Sequence, residues 1–193
     1  ILAKKIGEKK FKEFIENTKL LKSPDLEIDE VGVPHKIKWN NCKLETISFG
    51  HGITTTPVQV ASTYSAIVNG GKLVKPTLVM GKKTEDNKRI ISVETSKKIN
   101  GILRKVVSSK NGTAHFADKN GYYVGGKTGT AEGYSNKKDR INTFISVFPS
   151  IKPKYTLLVM LENPQINKDL IYEYRGVKTK APYNTSGWNS VYL

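Results

Sequence analysis

The densest cluster of chemically capable side chains is Gly125-Gly126-Lys127-Thr128-Gly129-Thr130. Two physical readings compete for it. Gly121 to Thr128 matches the phosphate-loop pattern G-x-x-x-x-G-K-[ST] letter for letter, and the apolar stretch 157–162, ending in Glu162, could mimic a magnesium-binding strand. A phosphate loop needs an apolar strand before it and a helix after it. Here Ala117-Asp118-Lys119-Asn120 comes before, and a polar run without an apolar stripe comes after. Tyr122 and Tyr123 also stand where small residues would let backbone amides cradle phosphate. The context speaks against this nucleotide-binding reading, which stays as a remote alternative. The other reading places the cluster on a strand. Glycine in a strand marks close approach by a ligand or another backbone. Gly129 would then let a peptide lie along the strand edge and pair with it. Lys127 would supply positive charge, and the Thr128 and Thr130 hydroxyls would face a substrate carboxylate.

Other residue types offer less. Cys42 is alone, so no internal disulfide and no thiolate cage can form. His35, His51 and His115 are far apart and show no metal-ligand spacing, so we expect no metal and no cofactor. His51, between two glycines, reads as a turn residue rather than a base, which would need a partner. Trp39 and Trp188 read as partly buried packing residues.

The elements that must position the cluster can be read from period and caps. Residues 2–18 have helical spacing at Phe11, Phe14, Ile15 and Thr18, with a possible break at Gly7. Residues 22–47 carry Pro24, Gly32 and Pro34 and read as a long loop. Thr55 or Thr56 can cap the next helix, with Pro57 at its first position and Val60, Tyr64, Ile67 and Val68 as its apolar stripe. Asn69-Gly70-Gly71 ends it. Residues 72–75 and 77–80 are short strand candidates split by Pro76, and 81–88 is polar and hairpin-like. Ser92 can cap a helix whose face is Ile99, Ile102, Leu103, Val106 and Val107, closed by Gly112. The last third changes period. Residues 122–131 look extended, and 141–148 alternate with Ile141, Thr143, Ile145 and Val147 on one side. Residues 155–161 are apolar on both faces, as a central strand would be. Pro149 and Pro153 bracket a connection short enough for an antiparallel hairpin. Helices followed by adjacent strands predict an α+β domain, an antiparallel sheet flanked by helices.

The 193 residues suffice for one domain with a core. The formal charge is +15, carried by 32 Lys and Arg against 17 Asp and Glu. Only Arg89, Arg104, Arg140 and Arg175 are arginines, and the lysines are scattered. Arginine is the preferred residue for bidentate phosphate and base contacts, so the charge reads as a solvated Lys-rich surface and we expect no nucleic-acid partner. No stretch has the roughly 20 apolar residues of a membrane span.

A wider series of motifs resembles the class B penicillin-binding proteins. Ser48 to Ala61, SFGHGITTTPVQVA, is similar to that family's G-x-G-x-x-x-T-P-x-Q-x-A segment. Asn69-Gly70-Gly71, Lys75-Pro76, Gly112-Thr113-Ala114, Lys127-Thr128-Gly129-Thr130-Ala131-Glu132, Ala181-Pro182 and Gly187-Trp188-Asn189 follow in the family's order. The Gly-His-Gly form and the Thr-Ala-Glu ending look more like the septal, division-specific transpeptidase than the elongation-specific one. The resemblance implies the penicillin-binding protein/serine β-lactamase-like transpeptidase fold, an α/β sandwich, present here in part. Residues 1–193 would be the C-terminal portion of one such domain, truncated at both ends.

The resemblance also implies an activity: a serine attacks the D-Ala-D-Ala bond of a peptidoglycan stem, terminal D-Ala leaves, and an amine of a neighbouring stem resolves the acyl-enzyme into a cross-link. β-Lactams acylate the same serine. Lys127 and Thr130 would be catalytic, Lys127 polarising the site and the Thr130 N–H donating into the oxyanion hole. Thr128, Gly129 and Thr130 would bind substrate. The family's S-x-x-K and S-x-N motifs are absent in credible positions. The literal match Ser135-Asn136-Lys137-Lys138 follows the K-T-G strand, whereas the family's nucleophile precedes it. We therefore expect the nucleophile outside this chain and no acylation by the chain alone. Expected partners are stem peptides, β-lactams and membrane proteins of the divisome. The parent protein would be anchored in the inner membrane with this domain in the periplasm. Tyr172, Tyr174 and Tyr183 either line the acyl-donor cleft or pack at the surface. The alternative within the same fold is a non-catalytic β-lactam sensor.

Overall fold

Gly7, with φ 85° and ψ 150°, splits the first helical stretch into α1 (Leu2–Ile6) and α2 (Glu8–Thr18). The computed structural model describes all residues except 41, 83–84, 134–138, 168, 175, 181–183 and 193, and leaves aside the side chains of 85–87 and 174. The Ser135–Lys138 match, Arg175, Ala181-Pro182, Tyr183 and the Tyr174 side chain therefore lie outside the described residues. The chain forms two compact units, Ile1–Ser96 and Lys97–Leu193.

In the first unit α2 ends at Lys19, in the left-handed region with φ 58°. Its last carbonyls have no partner within the helix. The Thr18 carbonyl, and those of Lys19 and Leu20 just past the helix, are met by α4 (Pro57–Val68) and the residues before it. Thr55 Oγ1 donates to Leu20 O at 2.6 Å, Gln59 Nε2 to Lys19 O at 2.5 Å, and Thr63 Oγ1 reaches Thr18 O at 3.5 Å. Thr56, not Thr55, is the cap: its Oγ1 accepts from Gln59 N–H at 3.2 Å. The buried row of α4 is thus Gln59, Thr63 and Ala66, with Val68, whereas Val60, Tyr64 and Ile67 are only half-buried. Gln59 and Thr63 are buried because they satisfy carbonyls at and just past the end of α2, which an apolar stripe cannot do.

The long segment 22–47 contains one unexpected helix, α3 (Lys43–Ile47). It has no repeated stripe of its own. Burial of Ile47 and a 2.9 Å ion pair between Glu45 and Lys4 of α1 hold it, so tertiary contact outweighs its weak local signal. That pair lowers the pKa of Glu45 and raises that of Lys4. Strand β1 (Lys72–Val74) pairs antiparallel with the polar β2 (Glu85–Arg89) through a register shift. Residues 77–80 are not a strand. The Leu78 N–H donates to Glu27 Oε2 at 2.9 Å and the Val79 N–H to Thr77 Oγ1 at 3.1 Å, so side chains take the amides a ladder would have used.

α5 (Val93–Ser108) starts at the Ser92 cap, whose Oγ accepts from Thr95 N–H at 3.0 Å. Its buried row is Ser96, Asn100, Leu103 and Val107; Ile102, expected on that face, is 60% exposed. Ser96 is buried because its hydroxyl accepts from Gly70 N–H at 3.0 Å within the first unit.

The second unit is built on a three-stranded antiparallel sheet in the order β3 (Gly125–Glu132), β4 (Arg140–Phe148), β5 (Tyr155–Glu162). Extended structure begins at Gly125 rather than 122, since Tyr123 turns with φ 51°. Ile145 and Val147 are buried on one face of β4, and Asn142, Phe144 and Ser146 on the other. Among the described residues β4 is therefore the middle strand, and β5, the expected centre, is paired on one side only, with Tyr155, Leu157 and Met160 about half exposed or more. Apolarity on both faces did not distinguish edge from centre. Strands β6 (Ile171–Tyr174) and β7 (Val177–Lys180) form a separate hairpin. The core gathers Val107, Ala114, Phe116, Phe144, Tyr172 and Val191. Trp188 packs on Phe116 and Tyr172 with ring centroids at 5.4 and 5.6 Å. Tyr172 is thus a core residue, and burial, with Tyr192 beside it, raises its phenol pKa. Gly187-Trp188-Asn189 lies at a single 3-10 turn, Ser186–Trp188. No helix among the described residues is long and apolar enough to cross a membrane.

Candidate functional site

All four residues of Lys127-Thr128-Gly129-Thr130 lie on β3, in register with Ile145, Phe144, Thr143 and Asn142 of β4. The strand runs on through Glu132, where a phosphate loop would open its helix at Lys127-Thr128, and this removes the phosphate-loop reading. The start of β3 is clamped by Arg104 on α5, which donates to Val124 O at 2.7 Å and to Asp118 Oδ1 at 2.9 Å. The glycines answer to the sheet itself. A Cβ at Gly126 would lie 2.6 Å from the Phe144 ring, and one at Gly129 2.6 Å from Thr143 Oγ1.

The direction of the β3 amides follows from the ladder. Gly133 N–H donates to Asp139 O at 2.9 Å, continuing the β3–β4 register by one pair. In an antiparallel ladder, alternate residues bond to the neighbour and the others point away. Lys127, Gly129 and Ala131 therefore bond to β4, while the Thr128 and Thr130 N–H and C=O groups point to the opposite edge. No described strand pairs with that edge. Lys127 is exposed, and its Nζ donates to Thr128 O at 2.6 Å, so the ammonium rests on this edge.

The Thr128 and Thr130 side chains reach a cavity of about 440 Å³, whose lining also includes Lys110, Thr113, His115 and Ser186. Thr128 Oγ1 is 3.0 Å from Thr113 Oγ1, and Thr130 Oγ1 accepts from Ser186 N–H at 3.1 Å. His115 Nδ1 is 2.8 Å from Gly112 O, an acceptor only, so that nitrogen carries a proton. Hydroxyls and two basic side chains line the cavity, and its described lining holds no carboxylate. Such a wall suits an anionic group. A second cavity of about 210 Å³, lined by Leu161, Ile166, Leu170 and Trp188 among others, is more apolar and includes no residue of the β3 motif. The larger one is therefore the candidate site.

The structure brings together three motifs that are far apart in sequence: Gly112-Thr113, Thr128 with Thr130, and Gly187-Trp188. Ser186, unremarked in the sequence, and Thr143, expected there only as a strand-face residue, complete the surroundings of Thr130. The available signal was the neighbouring Gly187-Trp188-Asn189. His51 lies in a turn, exposed and stacked on Phe49 at 6.2 Å. Trp39 is half-buried under Lys12, whose Nζ is 4.4 Å from the ring centroid.

Residues 1–184 match the family described as Penicillin binding protein transpeptidase domain. The chain is 30% identical over 203 residues to the probable peptidoglycan D,D-transpeptidase FtsI of Caulobacter vibrioides, covering 97% of this chain and 33% of that protein. It is 37% identical over 136 residues to stage V sporulation protein D of Bacillus subtilis, covering 62% and 21%. The chain thus spans about a third of the first protein's length and about a fifth of the second's. Among solved structures, the transpeptidase domain of Burkholderia pseudomallei penicillin-binding protein 3 superposes with a TM-score of 0.79 at 23% identity, over 98% of this chain and 56% of that one. Penicillin-binding protein 3 of Mycobacterium, solved with ampicillin, gives 0.74 at 24% identity, over 84% and 41%. At these identities the two structures speak to the fold.

Proposed function

Because this chain belongs to the penicillin-binding protein transpeptidase-domain family, in its FtsI-like class B branch, we propose that it supplies the substrate-binding strand and carboxylate-binding wall of a peptidoglycan D,D-transpeptidase. The observation that carries this reading is the open edge of β3. It offers the Thr128 and Thr130 amides beside a hydroxyl-lined, cationic cavity.

In this reading a stem peptide lies along the edge as an added strand. Thr128 and Thr130 hydroxyls hold its terminal carboxylate, and Gly129, with no side chain to meet Thr143 Oγ1, keeps the ladder that leaves this edge to the peptide. The Thr130 N–H donates to the oxygen that becomes negative when the scissile carbonyl is attacked. Lys127 places a positive charge at the same edge. The serine nucleophile adds to the carbonyl and its proton passes to the leaving D-Ala amine. An amine from a second stem then attacks the ester carbonyl, the C–O bond to serine breaks, the amine's proton returns to the serine oxygen, and the cross-link is formed. We assign that serine to residues outside this chain. The parent protein acts at the septum, anchored in the inner membrane, with this domain in the periplasm. There it meets stem peptides, β-lactams and divisome membrane proteins.

The test is acylation of the parent enzyme by a fluorescent penicillin. Lys127→Ala is expected to slow labelling by about 10²–10³-fold, as removal of a positioned transition-state donor does elsewhere. Labelling at the wild-type rate would overturn the role given to Lys127.

A further inference from the structure

Thr130 is held from behind by a remote part of the chain. Its Oγ1 accepts from the backbone N–H of Ser186 at 3.1 Å. A hydroxyl has two acceptor lone pairs and one hydrogen. Once its oxygen accepts from a fixed donor, the hydrogen turns away from that donor toward another acceptor.

The Ser186 N–H is itself tightly placed. Ser186 is 1% exposed. Its Oγ donates to Thr143 O at 2.5 Å and lies 2.7 Å from Ser190 Oγ. Thr143 belongs to β4 and faces Gly129 in the ladder, one residue from Thr130. Ser186 thus spans from the central strand to the Thr130 hydroxyl. The next residue tightens the approach: a Cβ at Gly187 would stand 2.7 Å from Thr113 O. Trp188 then anchors the turn in the aromatic core beside Phe116 and Tyr172.

We propose that Ser186 is a positioning residue for carboxylate recognition: its N–H commits the Thr130 hydroxyl to donate into the cavity, and its own hydroxyl fixes that N–H to β4. This rests on the reading above, in which Thr130 meets the substrate carboxylate. The ligand class is a peptide or β-lactam with a free carboxylate.

The test uses the full-length parent enzyme and the second-order rate of acylation by benzylpenicillin and by its methyl ester. Ser186→Pro removes the N–H together with the hydroxyl that anchors it. The backbone suits proline, being the first position of a helical turn after Thr185, an extended residue with φ −130° and ψ 159°, and the ring takes the place of the hydrogen and pushes the Thr130 hydroxyl off this bond. Ser186→Ala keeps the N–H and removes only its anchor. The expected result is about a tenfold loss of the benzylpenicillin rate for Ser186→Pro, the fold-change of one hydrogen bond near the upper end of the usual range. Ser186→Ala is expected to lose about two- to threefold, an anchor's share of the same bond. The ester rate is unchanged in both, and neither substitution adds a loss in a Thr130→Val background. Equal losses for acid and ester, or additive losses with Thr130→Val, overturn the proposal in favour of a purely structural role. A slow Thr130→Val enzyme with both Ser186 variants at the wild-type rate also overturns it, leaving the carboxylate reading intact. If Thr130→Val itself reacts normally with benzylpenicillin, the carboxylate reading fails and takes the Ser186 role with it. Should the proline variant not fold, the alanine variant and its combination with Thr130→Val decide the matter.

Discussion

Glu27 shows how much one side chain can organise where no regular element exists. Its carboxylate accepts from Thr77 Oγ1 at 2.6 Å, from the Leu78 N–H at 2.9 Å and from Lys82 Nζ at 2.9 Å. The Thr77 and Leu78 hydrogen bonds, with Lys82 after them, hold its pKa at about 2, below the ordinary 4.5. A carboxyl with a depressed folded-state pKa contributes stability that is fully present above its unfolded value and is lost as pH falls toward the folded one. Glu27→Gln is therefore expected to lower stability at neutral pH and to make its decline between about pH 4.5 and 2 shallower, as read by circular dichroism. The decline persists in part, because Lys75 lowers the pKa of Asp25 and Lys4 that of Glu45. At the proposed site the same logic of accepting groups applies to Thr130. Its type was readable from the sequence, whereas its partner Ser186 was not. A serine in a polar stretch has no period to reveal it, and the 56-residue gap between the two is closed only by the fold.

Among the elements, α4 has the clearest boundary. Thr56 caps it and Pro57 opens it. Thr56→Ala is expected to destabilise the chain by about 1 kcal/mol, the usual cost of removing such a cap, read as a lower urea midpoint. Cap residues made this helix and α5 legible from sequence, because capping depends on neighbours one turn away. What faced inward was less legible. The Gln59 and Thr63 row looks like a solvent face until the carbonyls of Thr18 and Lys19 are seen against it. Strands β3, β4 and β5 were located with nearly correct limits, yet their order was not. Leu157 and Met160 are as apolar as any central-strand residue, and only pairing shows that β4 is the middle strand. Residues 77–80 had strand-like side chains, but Glu27 took the amide on which a ladder would have depended.

For the whole molecule, the excess of 32 basic over 17 acidic residues sits mainly on lysines at the surface, and the described ion pairs are mostly exposed. Exposed pairs contribute little to stability, so the charge acts on solubility and encounter rather than on the fold. The family is identified by an ordered series of motifs spread across both units, more than by any one of them. With the nucleophile assigned elsewhere, the isolated 193-residue chain is expected to carry no fluorescent penicillin after denaturing electrophoresis. A labelled band would sink that assignment. The open edge of β3 also bears on how copies of the chain meet. An unpaired strand edge is a template for other chains, and proteins guard such edges with charge, lysine especially. Lys127 holds its ammonium on Thr128 O at that edge, so two edges cannot approach without bringing like charges together. Lys127→Ala removes this guard as well as the charge proposed above for catalysis. That variant is expected to self-associate, by light scattering, at concentrations where the unaltered chain stays dispersed. The lysine that prepares the edge for a peptide also keeps it from being filled by its own kind.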